Sequence, residues 1–451
     1  MSNTSNYVST TNACKLCTPL GASMAFRGVE GSIPFLHGSQ GCATYMRRYI
    51  ISHFRESIDI ASSALGEKNA IYGGGPNLKK GILNVMIKYE PKVVGIATTC
   101  LTETIGDNVP MFISEFKNEF GELPLPEIVH VSTPSYSGTH TDGWHGAIHS
   151  IAEQLCLDKA PEKHSVNILP NMVSCEDIRH LKDICADFEI KPTILPDISE
   201  TLDGITLEDY AKIPSGGTPL SEIKTMSGAK ATVEFGRCLP KKTGGISLRD
   251  RFKTPNYRIG LPMGLRENDV FFETLSAISG KTMPDRYVMQ RGRLVDAFVD
   301  GHKYIFGKRA VVYGEEDLVV GLSSFLAEIG IDVILAGTGS HGKKLETHIE
   351  AVTKDVARCM PEVHEGVDFF DISARAEELK PDILIGHSKG YQYAKAWNIP
   401  MIRVGFPIHD RFGGQRIKHI GYEGTLALLD RIINAFIEKK QNDSPVGYGY
   451  L

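Results

Sequence analysis

Short runs of β-branched and aliphatic residues recur along this chain, each closed by Gly, Ser, Thr or Cys and followed by a longer segment with apolar residues three and four apart. A strand buried on both faces reads as a continuous apolar run, and an amphipathic helix as a period near 3.6. On that pattern the predicted strands are VVGIATTC (93–100), EIVHVSTP (127–134), SVNILP (165–170), PTILPD (192–197), RAVVYG (309–314), DVILAGTG (332–339), DILIGHS (382–388) and MIRVGFP (401–407). Predicted helices fall between them, among them 76–89, 175–188, 316–330 and 425–440. Strand followed by helix, repeated, predicts an α/β chain of doubly wound parallel sheets whose functional loops lie at the carboxyl ends of the strands. Three such units fill 451 residues, with expected divisions at 1–160, 161–305 and 306–451. The stretch 210–260, with PSGGTP, KKTGG and KTPNY, is rich in turn residues and reads as an irregular excursion within the middle unit.

Composition narrows the classes. Charged residues make up 23% and the apolar set 42%, with a formal net charge of -5. Neither disorder nor a general affinity for nucleic acid is expected. The N-terminal MSNTSNYVSTTNA lacks a charged-then-apolar signal pattern, and no uninterrupted apolar run reaches the length of a membrane span. A cytoplasmic protein with no membrane partner is the expectation. Nine cysteines scattered over the chain do not resemble a disulfide framework and fit a reducing compartment.

Three of those cysteines stand apart. Cys17, Cys42 and Cys100 each sit between a hydrophobic run and a turn, in CTPLGA, HGSQGC and TTCLTE. A thiolate on a loop that opens a helix is favoured by free backbone N–H groups and the helix dipole, and thiolates are what iron and iron-sulfur clusters bind. Spacings of 25 and 58 residues are too wide for a local zinc knuckle, so the three meet only if a folded α/β unit gathers its loops. Burial as small hydrophobes suits Cys156, Cys175, Cys185, Cys238 and Cys359 instead.

Other motifs compete. Cys14 and Cys17 form a CxxC, the pattern of a redox pair or half a zinc site, but it follows a polar tail and has no second copy. Gly386-His387-Ser388-Lys389-Gly390 matches GxSxG between a strand and a helix, yet only His409 and His419 follow it, and no HGGG-type loop is present. A tight turn after a strand accounts for it. Gly73-Gly74-Gly75 lacks the spacing of either phosphate-binding fingerprint and reads as close helix packing. His409-Asp410-Arg411 suits either anion binding or a charged turn that fixes the last strand and helix.

The segment CTPLGASMAFRGVEGSIPFLHGSQGCATYMRRYIISHFRE, with TTCLTETIGDNVP and STPSYSGTHTDGW after it, resembles the β-type subunits of nitrogenase component 1 and their cofactor-assembly paralogues. The likeness spans residues 14–150 and resumes at PDISETLDG and RVGFPIHDR. It implies three Rossmann-like domains and a homologous α-type partner in an α2β2 assembly. It also implies that Cys17, Cys42 and Cys100 are this chain's share of an iron-sulfur cluster at the αβ interface, with Ser135 of STPSY beside it. Electrons would come from a separate ATP-hydrolysing iron protein, which accounts for the missing P-loop.

Two subfamilies fit. One is the catalytic β subunit, which relays electrons for N2 reduction; the other is a scaffold subunit on whose complex an iron-molybdenum cofactor precursor is matured. HDRFGGQR lacks a histidine-rich run after DR, and the short N-terminus and the SPVGYGYL tail also favour the scaffold; retention of Cys17 and Cys100 favours the catalytic subunit. A nucleotide-binding dehydrogenase on the same sheets would need a glycine fingerprint and an acidic residue about 20 positions on, and no such set is found.

Overall fold

The computed structural model describes residues 14–209 and 211–446. The polar N-terminal segment and most of the SPVGYGYL tail lie outside the described residues. Among the described residues thirteen strands form three sheets, and every strand pair in them is parallel. The first sheet holds β1 (Ser32–His37), β2 (Ala61–Ser62), β3 (Val93–Thr98) and β4 (Glu127–Val131) in the order β2-β1-β3-β4. The second holds β5 (Lys163–Leu169), β6 (Lys191–Ile194), β7 (Ala229–Phe235) and β8 (Asn256–Ile259) as β6-β5-β7-β8. The third holds β9 (Arg309–Tyr313), β10 (Asp332–Thr338), β11 (Glu362–Glu365), β12 (Ile383–Gly386) and β13 (Met401–Arg403) as β11-β10-β9-β12-β13. Helices cover the sheets, and no helix of the described residues is long and apolar enough to cross a membrane.

The eight expected strands are all present, and five more join them. Residues 210–260 are not simply an irregular excursion. They supply β7, which pairs with β5 and β8 inside the second sheet, and β8 itself. The pattern hid β7 because two of its residues are polar yet buried: Thr232 accepts a bond from Asn167 Nδ2 at 3.1 Å, and Glu234 accepts one from Thr243 Oγ1 at 2.9 Å. β1 was hidden by Pro34, which gives no N–H to the ladder and rarely sits in a central strand.

Each sheet reverses its strand order once, between β1 and β3, β5 and β7, or β9 and β12, and loops beyond those switch points turn toward one another. One helix start joins them. Glu315, Glu316 and Asp317, just after β9, are all buried. Glu315 lies 3.3 Å from His140 Nε2 and accepts the Phe406 N–H at 3.1 Å; Thr141 donates to Glu316 at 3.1 Å. Asp317 accepts from Asn171 Nδ2 at 2.8 Å and from the Arg237 and Cys238 amides at 2.6 and 2.8 Å. Three consecutive carboxylates thus tie all three sheets, and one continuous apolar core runs beneath them.

Two buried histidines near this junction make stability depend on pH. Burial pushes His53 and His387 from 6.5 down to about 3. The unfolded chain binds their protons as pH falls through about 6.5, while the fold refuses them until about 3, so stability is lost on acidification across that window. Each contributes a slope of about 1.4 kcal/mol per pH unit. The denaturation midpoint is expected to fall between about pH 7.5 and about pH 5. In His387→Gln the fall should be shallower; an unchanged slope would refute the assignment.

Candidate metal centre

The first sheet's switch point carries two of the expected ligands. Cys42 follows β1 in the first turn of helix Gln40–Phe54, and Cys100 follows β3 as the first residue of helix Cys100–Ile105. Cys17 is the N-cap of helix Thr18–Arg27, with no side-chain cap of its own. All three thiols therefore lie at helix N-termini, where backbone N–H groups and the dipole favour negative charge. Cys17 and Cys42 are half-buried, Cys100 is exposed, and none is in a disulfide.

Ser135, beyond β4, stands between two of them. Its hydroxyl accepts the Thr18 N–H at 3.1 Å, next to Cys17, and its own N–H donates to Cys100 Sγ at 3.3 Å. Ser39 Oγ donates to Cys42 Sγ at 3.7 Å. Burial pushes the Cys17 thiol up; Ser135 pulls it down, and the charges of Cys100 and Cys42 raise it further. Cys17 thus feels the charge of both other thiols when they ionise, a repulsion that a bound cation relieves. No three His, Cys, Asp or Glu side chains among the described residues are placed to hold a single metal ion.

Cys17 and Ser135 open onto a cleft of 700 Å³, whose far wall comes from the third sheet through Ser388, Lys389, His409 and Asp410. Tyr45 and Tyr49 form its side, with Tyr45 Oη donating to Tyr49 at 3.0 Å. These tyrosines were missed, although Cys42, Tyr45 and Tyr49 share one helix face at i, i+3 and i+7. The third-sheet residues gave no such signal, being hundreds of positions away. Behind the site, His37 Nε2 lies 2.9 Å from Asp107 and its Nδ1 3.0 Å from Ser63 Oγ, while Asp107 accepts the Gly74 N–H at 3.1 Å. This brace fixes the turn into the Cys42 helix. A side chain at Gly74 would strike Asp107 and His37, so the triple glycine serves close packing as expected.

The competing motifs resolve structurally. Cys14 is buried in the core of the third sheet, and burial raises its thiol to about 12, so it and Cys17 are not a matched redox pair. Ser388 is buried; its hydroxyl donates to Asp410 and accepts the His409 N–H at 3.1 Å, contacts that make a turn and no nucleophile. Asp410 grips Arg403 from two sides at 2.7–3.0 Å, the charged-turn reading. Cys156, Cys175, Cys185 and Cys238 are buried as expected, but Cys359 is exposed, because it lies in the turn before the edge strand β11.

Three doubly wound sheets, with a set of thiols at the first switch point and a cleft reaching to the third sheet, define the class of this α/β protein. Residues 17–437 match the family model described as nitrogenase component 1 type oxidoreductase. The chain is 32% identical to the nitrogenase molybdenum-iron protein beta chain of Clostridium pasteurianum over 96% of this chain and 94% of that protein. It is 33% identical to the nitrogenase iron-molybdenum cofactor biosynthesis protein NifN of Bradyrhizobium diazoefficiens, over 96% and 91%. A solved structure titled nitrogenase Cp1 at pH 6.5 superposes with a TM-score of 0.95 at 30% identity, covering 100% of this chain and 98% of that one. The chain belongs to the nitrogenase component 1 family, on its β-type branch.

Proposed function

We propose that this chain is a β-type scaffold subunit, like NifN, for assembly of the nitrogenase iron-molybdenum cofactor. Cys17, Cys42 and Cys100 hold its share of an iron-sulfur cluster, which a homologous α-type chain completes in an α2β2 assembly that also carries the cofactor precursor. The observation that supports the shared cluster site is Ser135, whose hydroxyl accepts the Thr18 N–H beside Cys17 and whose N–H donates to Cys100 Sγ, at the mouth of the 700 Å³ cleft. Three soft thiol donors on three helix starts fit a multi-iron cluster, and the spread of the set suits a cluster better than one ion.

When bound, the cluster supplies one-electron chemistry, with electrons delivered by an ATP-hydrolysing iron protein. This chain's residues do the holding. The helix starts present dipoles to the thiolates, Ser135 offers a hydroxyl beside Cys17, and the His37–Asp107 brace keeps Cys42's helix in place. Thiols of this kind need a reducing compartment, the cytoplasm.

Deletion of the gene tests this. The catalytic protein should remain but lack its cofactor, and isolated cofactor added to the extract should restore activity. The second reading, a catalytic β subunit, is favoured by the presence of all three cysteines and by a 32% match to a beta chain, level with 33% to NifN. On that reading deletion removes the catalytic protein itself, and added cofactor restores nothing.

A further inference from the structure

A second cleft, of 650 Å³, lies on the far side of β13, between that edge strand and helix Gly421–Asp443. Five cationic side chains line it, Lys395, Arg403, Arg411, Arg431 and Lys439, against one carboxylate, Glu438. Asp410 offsets Arg403 and, at 3.6 Å, Arg411; Asp443 pairs with Lys439. Arg431 is different. Its guanidinium donates one hydrogen bond, to the Arg403 carbonyl at 3.1 Å, and meets no carboxylate among the described residues. Burial and the neighbouring Arg403 both disfavour its charge. A partly buried guanidinium with a single hydrogen bond keeps further N–H donors free to meet an anion. Glu438, on the same helix, lines the cleft but makes no ion pair with it.

We propose that this cleft binds a compact, multiply charged oxyanion, a phosphate or a small polycarboxylate, with Arg431 as its principal anchor. The planar fork of arginine matches such groups through paired N–H donors. Arg411 and Lys395 line it too, and the exposed Asn434 and Asn398 add neutral donors. Tyr391 closes one end, its ring 5.1 Å from the Arg403 guanidinium and 5.6 Å from that of Arg411. The volume suits a small ligand. In the other basic cleft, of 670 Å³, the buried cation Lys343 differs from Arg431 in being paired, with Asp142 at 2.5 Å.

Calorimetric titration of inorganic phosphate, pyrophosphate and citrate, in separate arms, into the purified assembly tests the proposal. One site per copy of this chain is expected. Arg431→Gln should weaken it about tenfold or more, Arg431→Lys should weaken it less, and Lys241→Gln on the other cleft should leave it unchanged. The stronger arm identifies the class, phosphate or carboxylate. The bound probe should also raise the melting temperature of the unaltered protein but not that of Arg431→Gln. If that variant fails to assemble, reduced affinity in Arg431→Lys carries the same weight. No binding of any probe in the millimolar range, as when a partner's carboxylate fills the cleft, overturns the proposal. So does affinity unchanged in the Arg431 variants.

Discussion

Replacing Cys42 or Cys100 by serine is expected to strip iron from the assembled protein, and replacing Cys175 to leave it in place. Both residues in the first pair sit in the first turn of a helix, half-buried or exposed, where a thiolate is favoured and can be reached. A serine hydroxyl keeps its proton at neutral pH and is a harder donor, so it replaces neither the charge nor the bond to iron. Cys175 is fully buried, its Sγ donates to the Ile198 carbonyl at 3.3 Å, and burial pushes its thiol well above the ordinary value. A loss of about a hundredfold or more in cluster affinity is expected for Cys42→Ser and Cys100→Ser, since even changes outside the ligand set cost tenfold to about a hundredfold. Iron per assembly and the electron paramagnetic resonance spectrum read it directly. Equal iron in all three variants would dispose of the ligand set.

A comparably large effect is expected at positions that carry no thiol. Helices Thr18–Arg27 and His140–Leu155 approach backbone to backbone through two glycines: a Cβ at Gly21 would lie 1.7 Å from the His140 carbonyl oxygen, and one at Gly143 1.8 Å from that of Thr18. Those atoms are main chain and cannot turn aside. Gly21→Ala or Gly143→Ala must push the helices apart, at a cost of about 3 kcal/mol or more. Because Cys17 caps the first helix and Ser135 precedes the second, the separation should also reduce cluster loading. Gly292→Ala is the contrast: its Cβ meets nothing within 4 Å, so it should gain about 0.5–1 kcal/mol from helix propensity. Denaturation midpoints and iron content check both. An unaltered midpoint in Gly143→Ala would mean that the helices do not touch as described.

What was legible in the sequence was whatever the backbone expresses locally. β3, β9 and β10 announced themselves because a strand covered on both faces is apolar throughout, and the three thiols because each stands at a helix start. What stayed hidden depended on partners distant in the chain. Glu234 looks like a solvent residue until Thr243 Oγ1 is found bonded to it inside the second sheet. Pro34 argues against a central strand, yet β1 is paired on both sides. Lys389 and His409 could be placed across from Cys17 only by the packing of the third sheet on the first.

The segment after β13 stitches the ends of the chain together. Ile408 donates its N–H to His53 Nδ1 at 2.8 Å, and Gln415 bonds both the Phe54 carbonyl and Asp203, at 2.9 and 3.2 Å. Arg416 reaches Asp203 at 2.8 Å, and His419 Nδ1 lies 2.9 Å from Asp177. Helix Gln40–Phe54, which presents Cys42 at its start, is therefore pinned at its finish by residues some 355 positions later. During synthesis the ribosome delivers all three cysteines early, but the clasp that steadies one of them among the last parts of the chain. On the proposed ligand set, loading of a cluster is therefore expected to require the finished polypeptide, since the far end of the Cys42 helix is bonded only once Ile408 has been made.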